Sequence, residues 1–214
     1  DNATRRALLR DQAPSTRLVQ DWDFLADPQY DPATLPAWRG ISYVVLSGWP
    51  FRSKGFTLGE PLVGHLANAS EEKGTCDLLR AASRAWGAGH RFKVVLAGPE
   101  MPNFRAFWDS FDAKEKVTRL GVLSDSQKRD FYAGIDCFAL PSRTDSFGLV
   151  LLEAWANGKP NLVYRAGGPA ELVRDGLDGL HAKCGDVTEL AAKLVGLVGD
   201  AELRRALGAN GLAR

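Results

Sequence analysis

Cys137-Phe138-Ala139-Leu140-Pro141-Ser142-Arg143-Thr144-Asp145-Ser146-Phe147-Gly148-Leu149-Val150-Leu151-Leu152-Glu153-Ala154 carries a strand, a polar turn and a helix start in one run. Cys137 to Leu140 is a short apolar segment of strand length, and a helix is expected from about Phe147 to Asn157. Asp145 lies just before that helix and Glu153 about two turns along it, at roughly 3.6 residues per turn, so both carboxylates can face one ligand. The amides of Ser146, Phe147 and Gly148 are expected to be unpaired first-turn donors, with Gly148 permitting close approach. Such amides suit a phosphate or a sugar hydroxyl, and a carboxylate further down can accept two hydrogen bonds from a ribose diol. Asp145 reads equally well as a plain N-cap.

Outward from this run the strand-helix alternation continues in both directions. Before it come Pro61-Leu62-Val63-Gly64, then a helix with Leu78, Leu79, Ala82 and Trp86 on one face, then Val94-Val95-Leu96-Ala97 stopped by Gly98-Pro99. A further helix shows Phe104, Phe107, Trp108 and Phe111 at helical spacing, the pattern of an aromatic core stripe. Val117 to Gly121 reads as a strand, and Ser124 with Gln127 as a capping box opening a helix that Gly134 ends. After the central run come the strand Asn161-Leu162-Val163-Tyr164, a Gly-Gly turn at Gly167 and Gly168, and a helix through Glu171-Leu172-Val173. Two closing helices, Glu189 to Val198 and Ala201 to Leu207, follow without another strand signal. The alternation predicts an α/β fold, a doubly wound parallel sheet with helices on both faces, and ligands beyond the carboxyl ends of its strands.

Residues 1 to 58 read differently, as an edge or linker segment set apart from a domain spanning 59 to 214. Thr4 to Leu9 suggests a short helix, Tyr43 to Leu46 a strand, and Pro50 to Thr57 a turn-rich stretch. The only methionine is Met101, so the sequence does not open at a translation start and reads as part of a longer protein.

With 27 basic and 26 acidic side chains, the net charge of +1 gives no polyanion footprint, so nucleic acid is not an expected partner. Apolar runs fall far short of the roughly 20 residues that span a bilayer. Cys76, Cys137 and Cys184 are odd in number and unpaired in spacing, which fits thiols in a reducing compartment. A cytoplasmic protein is expected, with a peripheral place at the inner membrane face as a further option.

Pro141 to Gly158 resembles the Glu-seven-residues-Glu motif of retaining glycosyltransferase family 4, of the two-domain GT-B architecture, with Asp145 in the first acidic place and Glu153 in the second. The resemblance implies that Asp145 touches donor-sugar hydroxyls beside the anomeric carbon and that Glu153 binds the ribose. Asp in place of Glu shortens the reach by one methylene. Glu71-Glu72-Lys73-Gly74 is similar to the family's Glu-Lys-Gly turn, whose lysine grips the donor diphosphate. A fixed ammonium there would stabilise charge growing on the leaving nucleoside diphosphate. A lysine in a turn is otherwise commonly a solvated one. The family's arginine five or six residues before that lysine is absent: Asn68 and Ala67 stand there, and His65, further back, is either its substitute or a structural histidine.

Leu120 to Asp125, with Lys128, resembles the segment whose backbone reads the base, which implies base contacts from Leu123 and Lys128. Gly167-Gly168-Pro169-Ala170-Glu171, with Asp175-Gly176 and Gly179-Leu180, is similar to the family's Gly-Gly turn near the donor, although plain turn chemistry explains it equally. The implied fold is the Rossmann-like C-terminal domain of a GT-B glycosyltransferase. The catalytic pair is then Asp145 and Lys73, and the donor-binding set is Glu153, Ser146, Phe147, Gly148, Leu149, Leu123 and Lys128.

The implied donor is a nucleoside-diphosphate sugar, UDP- or GDP-linked, with no metal and no other cofactor. The acceptor is a sugar, lipid-linked or other hydroxyl, and an N-terminal domain beyond this sequence would hold it. Three other readings compete. Asp21-Trp22-Asp23 is formally the Asp-x-Asp metal motif of GT-A enzymes, though two acids at that spacing also occur in surface loops. A sugar-nucleotide epimerase shares the architecture, and a non-catalytic nucleotide-sugar-binding module would keep the fold without the chemistry.

Overall fold

The computed structural model describes residues 60–214. The short helix, the strand and the Asp21-Trp22-Asp23 motif read within residues 1 to 58 lie outside the described residues, as does that segment's status as a unit.

Six strands form one parallel sheet: β1 (Leu62–Leu66), β2 (Lys93–Ala97), β3 (Val117–Arg119), β4 (Cys137–Leu140), β5 (Asn161–Tyr164) and β6 (Gly179–Ala182). Their order is β3-β2-β1-β4-β5-β6, so the chain reverses its direction of winding between β1 and β4. Val63 pairs with Val94 on one side and with Cys137 on the other, which makes β1 the central strand at the reversal. Among the described residues, seven α-helices connect and flank the strands, α1 (Thr75–Gly87), α2 (Pro102–Asp109), α3 (Asp125–Gly134), α4 (Leu149–Ala156), α5 (Gly167–Leu172), α6 (Val187–Gly199) and α7 (Ala201–Leu212), with a 3-10 turn at Lys114–Lys116 before β3.

The apolar strand runs follow from burial on both faces. Val63, Val94, Leu96, Cys137, Ala139, Leu162 and Tyr164 share a core cluster with Leu78 and Leu79 of α1 and Leu190 and Leu194 of α6. Alternate residues point the other way, where Phe138 meets Phe131 of α3 edge-on. With both faces covered, the strands show no polar alternation. The capping box holds as expected: Ser124 Oγ accepts from the Gln127 amide and the Gln127 side chain accepts from the Ser124 amide. The aromatic stripe also packs inward, with Phe104 fully buried in α2 and Phe111 just beyond it.

β3 stops at Arg119, two residues short of the strand read from sequence, and four further elements differ more. β6 is an additional strand, disguised because Gly179 opens it and His181 interrupts its apolar run; at Gly179 a β-carbon would stand 2.5 Å from the Asn161 carbonyl oxygen. Gly167 and Gly168 are the first residues of α5 and not a separate turn. α7 runs on through Gly208 and Gly211 to Leu212, because those glycines let it lie against the Gly158 carbonyl and the Trp155 indole. α4 begins at Leu149, with Gly148 as its left-handed N-cap at φ 82, and the loop before it stays non-helical.

Candidate functional site

A cleft of about 460 Å³ opens at the carboxyl ends of β1, β2 and β4, beside the winding reversal. In open parallel sheets ligands bind at such a reversal, because the connections leave in opposite directions and the strand ends stay uncovered. Lys73, Leu123, Lys128, Asp145, Ser146, Phe147, Gly148 and Leu149 all line it, so residues from three separate segments converge. Asn68, Gly98, Pro99, Val122 and Val150 line it as well, none of them expected from sequence as a site residue. Gly98-Pro99 read only as a strand stop, yet any residue just past β2 beside the reversal must border the cleft.

Two loops build the charged end. The first is the turn before α1, where the Lys73 amide donates to Ser70 Oγ (3.1 Å) and the Thr75 amide to the Ser70 carbonyl (3.0 Å). The second runs from Pro141 to Gly148. They dock directly: the Arg143 amide and the Ser142 hydroxyl both donate to the Glu72 carbonyl, at 2.8 and 3.2 Å. The second loop is seated on α5 from the other side, where the Gly168 amide donates to the Asp145 carbonyl (3.0 Å). A β-carbon at Gly168 would stand 2.1 Å from the Ser146 carbonyl oxygen, so that close seating requires glycine. This gives the Gly-Gly pair a role beyond turn formation.

Between the loops, Lys73 Nζ lies 2.7 Å from Asp145 Oδ2. Burial alone raises the Asp145 pKa, but the Lys73 hydrogen bond and charge, with the Phe147 and Gly148 amides, outweigh it and hold the carboxyl below the usual carboxylate range. Asp145 is therefore not the N-cap of α4; its carboxylate gathers the loop. The amides of Phe147 and Gly148 correspondingly turn to Asp145, with Phe147 at 3.3 Å, and are not the free first-turn donors expected. That place passes to the start of α4 at Leu149 and Val150, because the left-handed Gly148 delays the helix.

Glu153 does not line the cleft. It lies one turn beyond Val150 on the same helical face, exposed, with Tyr132 donating to its Oε2 at 2.8 Å. Burial and this carboxylate together push the Tyr132 phenol well above its usual pKa, so the tyrosine stays a donor. Lys128 pairs loosely with Asp125 at 3.5 Å on the solvent side.

His65 is fully buried and does not border the cleft. Its Nδ1 lies 2.8 Å from the Ala139 carbonyl, which can only accept, so Nδ1 carries the proton and Nε2 accepts from the Thr75 hydroxyl at 2.9 Å. That hydroxyl accepts in turn from the Ser70 amide (3.1 Å). The histidine thus ties β1 to β4 and to the Lys73 turn, and Asn68 and Ala67 occupy the cleft wall in its stead. Among the described residues, no group of three His, Cys, Asp or Glu side chains is placed to hold a metal ion.

The family model for glycosyl transferases group 1 matches residues 50–214. The lipopolysaccharide core biosynthesis glycosyltransferase LpsE of Rhizobium meliloti is 30% identical over 151 residues, 71% of this chain and 43% of that protein. Among solved structures, HepE of Anabaena, crystallised in complex with UDP and glucose, superposes with a TM-score of 0.63 at 25% identity, over 72% of this chain and 43% of that one. The crystallised C-terminal domain of a group 1 family protein, LpcC of Francisella tularensis, shares the fold at a TM-score of 0.62 and 23% identity, over 72% of this chain and 83% of that domain. This chain therefore spans under half the length of LpsE and of HepE.

Proposed function

We propose, from the premise that this chain belongs to the glycosyl transferases group 1 family and has the GT-B type of fold, that residues 60–214 form the donor-binding half of a retaining glycosyltransferase. The observation that carries this reading is the Lys73 and Asp145 pair at the winding reversal, beside the α4 N-terminus. A nucleoside-diphosphate sugar laid across the cleft would set its diphosphate against Lys73 and the first-turn amides of α4, where a helix N-terminus favours negative charge. As the glycosidic bond breaks, charge accumulates on the leaving diphosphate, and Lys73 stabilises it most in the transition state.

Asp145, displaced from Lys73 by the diphosphate, then turns to hydroxyls of the donor sugar. A ribose reaching past the cleft lining at Val150 would donate its diol to Glu153, whose carboxylate Tyr132 fixes, and Leu123 meets the base through its backbone beside Lys128. Phe147, Leu149 and Val122 are exposed large apolar side chains at the cleft mouth, suited to close on a base or a sugar face. The positive potential of Lys73 and the helix start replaces a metal in this reading. The acceptor is a hydroxyl of a sugar or lipid-linked glycan, held by parts of the protein beyond the described residues. The reaction belongs on the cytoplasmic side, peripheral to the inner membrane face, a setting compatible with free thiols at Cys76, Cys137 and Cys184.

Calorimetric titration with UDP, GDP, their sugars and the bare nucleosides, with and without chelator, tests the reading. Lys73→Ala is expected to weaken diphosphate binding by about 1.5 to 3 kcal/mol, the range for hydrogen bonds to charged groups, and to leave the nucleoside unchanged. Equal losses for both ligands would remove Lys73 from the phosphate site. Glu153→Ala is expected to weaken nucleoside and diphosphate alike, by about 1.5 kcal/mol, without moving the thermal midpoint. Unchanged affinity would take Glu153 out of the site. No binding of any nucleotide by the wild-type chain would sink the donor-binding reading and the nucleotide-sugar-binding module alike.

A further inference from the structure

Outside the cleft lining lies a polar cluster that the donor reading does not use. Asp77, in the first turn of α1, is buried in the core, with its side chain only 5% exposed. Its Oδ1 accepts from Arg80 at 2.9 Å, and its Oδ2 is shared by the Arg143 guanidinium and the Tyr164 hydroxyl, the latter at 3.0 Å. Tyr164 ends β5 and is fully buried, and Arg143 also lies over its ring at 5.9 Å. One carboxylate thus ties together α1, the Pro141–Gly148 loop and β5. A carboxylate taken out of water is tolerated only when such partners satisfy it, so the three groups are held in one arrangement.

The cluster stands at a mechanically useful place. Asp77 follows Lys73 by four residues, and Arg143 precedes Asp145 by two. We infer that Arg143, Asp77 and Tyr164 form a positioning clamp that sets the separation between Lys73 and Asp145, and with it the geometry between the diphosphate and sugar subsites. This rests on the donor-site reading above. None of the three lines the cleft, so their influence on a donor passes through Lys73 and Asp145. The geometry is specific: the Arg143 amide and the Ser142 hydroxyl already fasten the loop backbones at the Glu72 carbonyl. The side-chain clamp adds a second point of attachment, which removes the remaining rotation of one loop about the other.

The test is a double-mutant cycle on the full 214-residue chain, read by calorimetry with UDP, GDP, uridine and guanosine. Arg143→Gln is expected to weaken the preferred diphosphate about tenfold while leaving its nucleoside within about twofold, and to cost almost nothing further in a Lys73→Ala background, since residues acting through one group are not additive. Arg143→Lys, which keeps the charge, is expected to recover most of the loss. A loss shared equally by diphosphate and nucleoside, or one that persists in full without Lys73, would reduce the cluster to a merely structural element and overturn the inference. If Arg143→Gln does not melt cooperatively, Tyr164→Phe carries the test, because it keeps the ring and the ion pair; a selective diphosphate loss of about threefold is expected from one hydrogen bond, and none overturns the clamp. Wild-type chain that binds neither UDP nor GDP would sink the donor reading itself, whereas normal wild-type binding with an indifferent Arg143→Gln sinks the clamp alone.

Discussion

Gly74→Ala is expected to destabilise the fold by about 2 to 5 kcal/mol, combining left-handed strain with overpacking. Gly74 sits at φ 74 in the N-cap position of α1, and a β-carbon there would stand 1.8 Å from the Pro141 carbonyl oxygen. The conformation alone costs a non-glycine residue about 1 to 2 kcal/mol. The overlap adds more, because its target is backbone and no rotamer change relieves it; overpacking of this kind costs about 1 to 3 kcal/mol. Pro141 cannot simply retreat, since Ser142 and Arg143 are hydrogen-bonded to the Glu72 carbonyl and Gly168 to the Asp145 carbonyl. Urea unfolding should show the midpoint falling with an unchanged m-value. Diphosphate affinity should fall as well, because Lys73 is the preceding residue. A loss below about 1 kcal/mol would mean that the loops separate freely, in conflict with a rigid charged end of the cleft.

Acid is expected to destabilise the protein through His65, by about 3 kcal/mol in all. Burial lowers the His65 pKa from 6.5 to about 4, and the Ala139 hydrogen bond offsets this only in part. Between those two values the unfolded chain holds a proton on this residue that the folded chain does not. Stability therefore falls as pH drops from about 6.5 and levels off, for this group, below about 4. The local cause is visible in the bonds: Nε2 accepts from the Thr75 hydroxyl, and a proton placed there would force Thr75 to accept twice, against the Ser70 amide. Unfolding free energies at pH 7, 5.5 and 4.5 should decline more steeply for wild type than for His65→Gln. Parallel slopes would show that the histidine does not titrate in this window. A neutral His65 also supplies no charge to a diphosphate, so the cation missing at Asn68 and Ala67 is not restored from behind the strand.

The two results divide what was readable in the chain from what was not. The doubly wound sheet was legible because strands buried on both faces must be uniformly apolar, and runs such as Val94 to Ala97 and Cys137 to Leu140 admit little else. β6 was not, because Gly179 and His181 break its apolar pattern. Gly179 is required by its close approach to Asn161, and the buried His181 donates from Nε2 to the Val173 carbonyl at 2.8 Å, both contacts made between separate elements. The delayed start of α4 is not legible in the sequence for a related reason: Gly148 permits a helix start or a left-handed turn, and seating of the loop on α5 selects the second.

By itself the sequence determined the parallel α/β architecture, since strand periodicity and capping residues are local properties, and its motifs, through the family resemblance they carry, marked eight residues that border the cleft. Tertiary structure alone decided that Lys73 meets Asp145 at 2.7 Å across 72 positions of chain, that Glu153 sits one turn outside the cleft under Tyr132, and that His65 faces inward. Those outcomes depend on which strands become neighbours and how closely their loops can approach. β1 and β4 are adjacent only because the winding reverses between them, and it is that adjacency which brings the Lys73 turn against Pro141 and sets two separately encoded charges face to face.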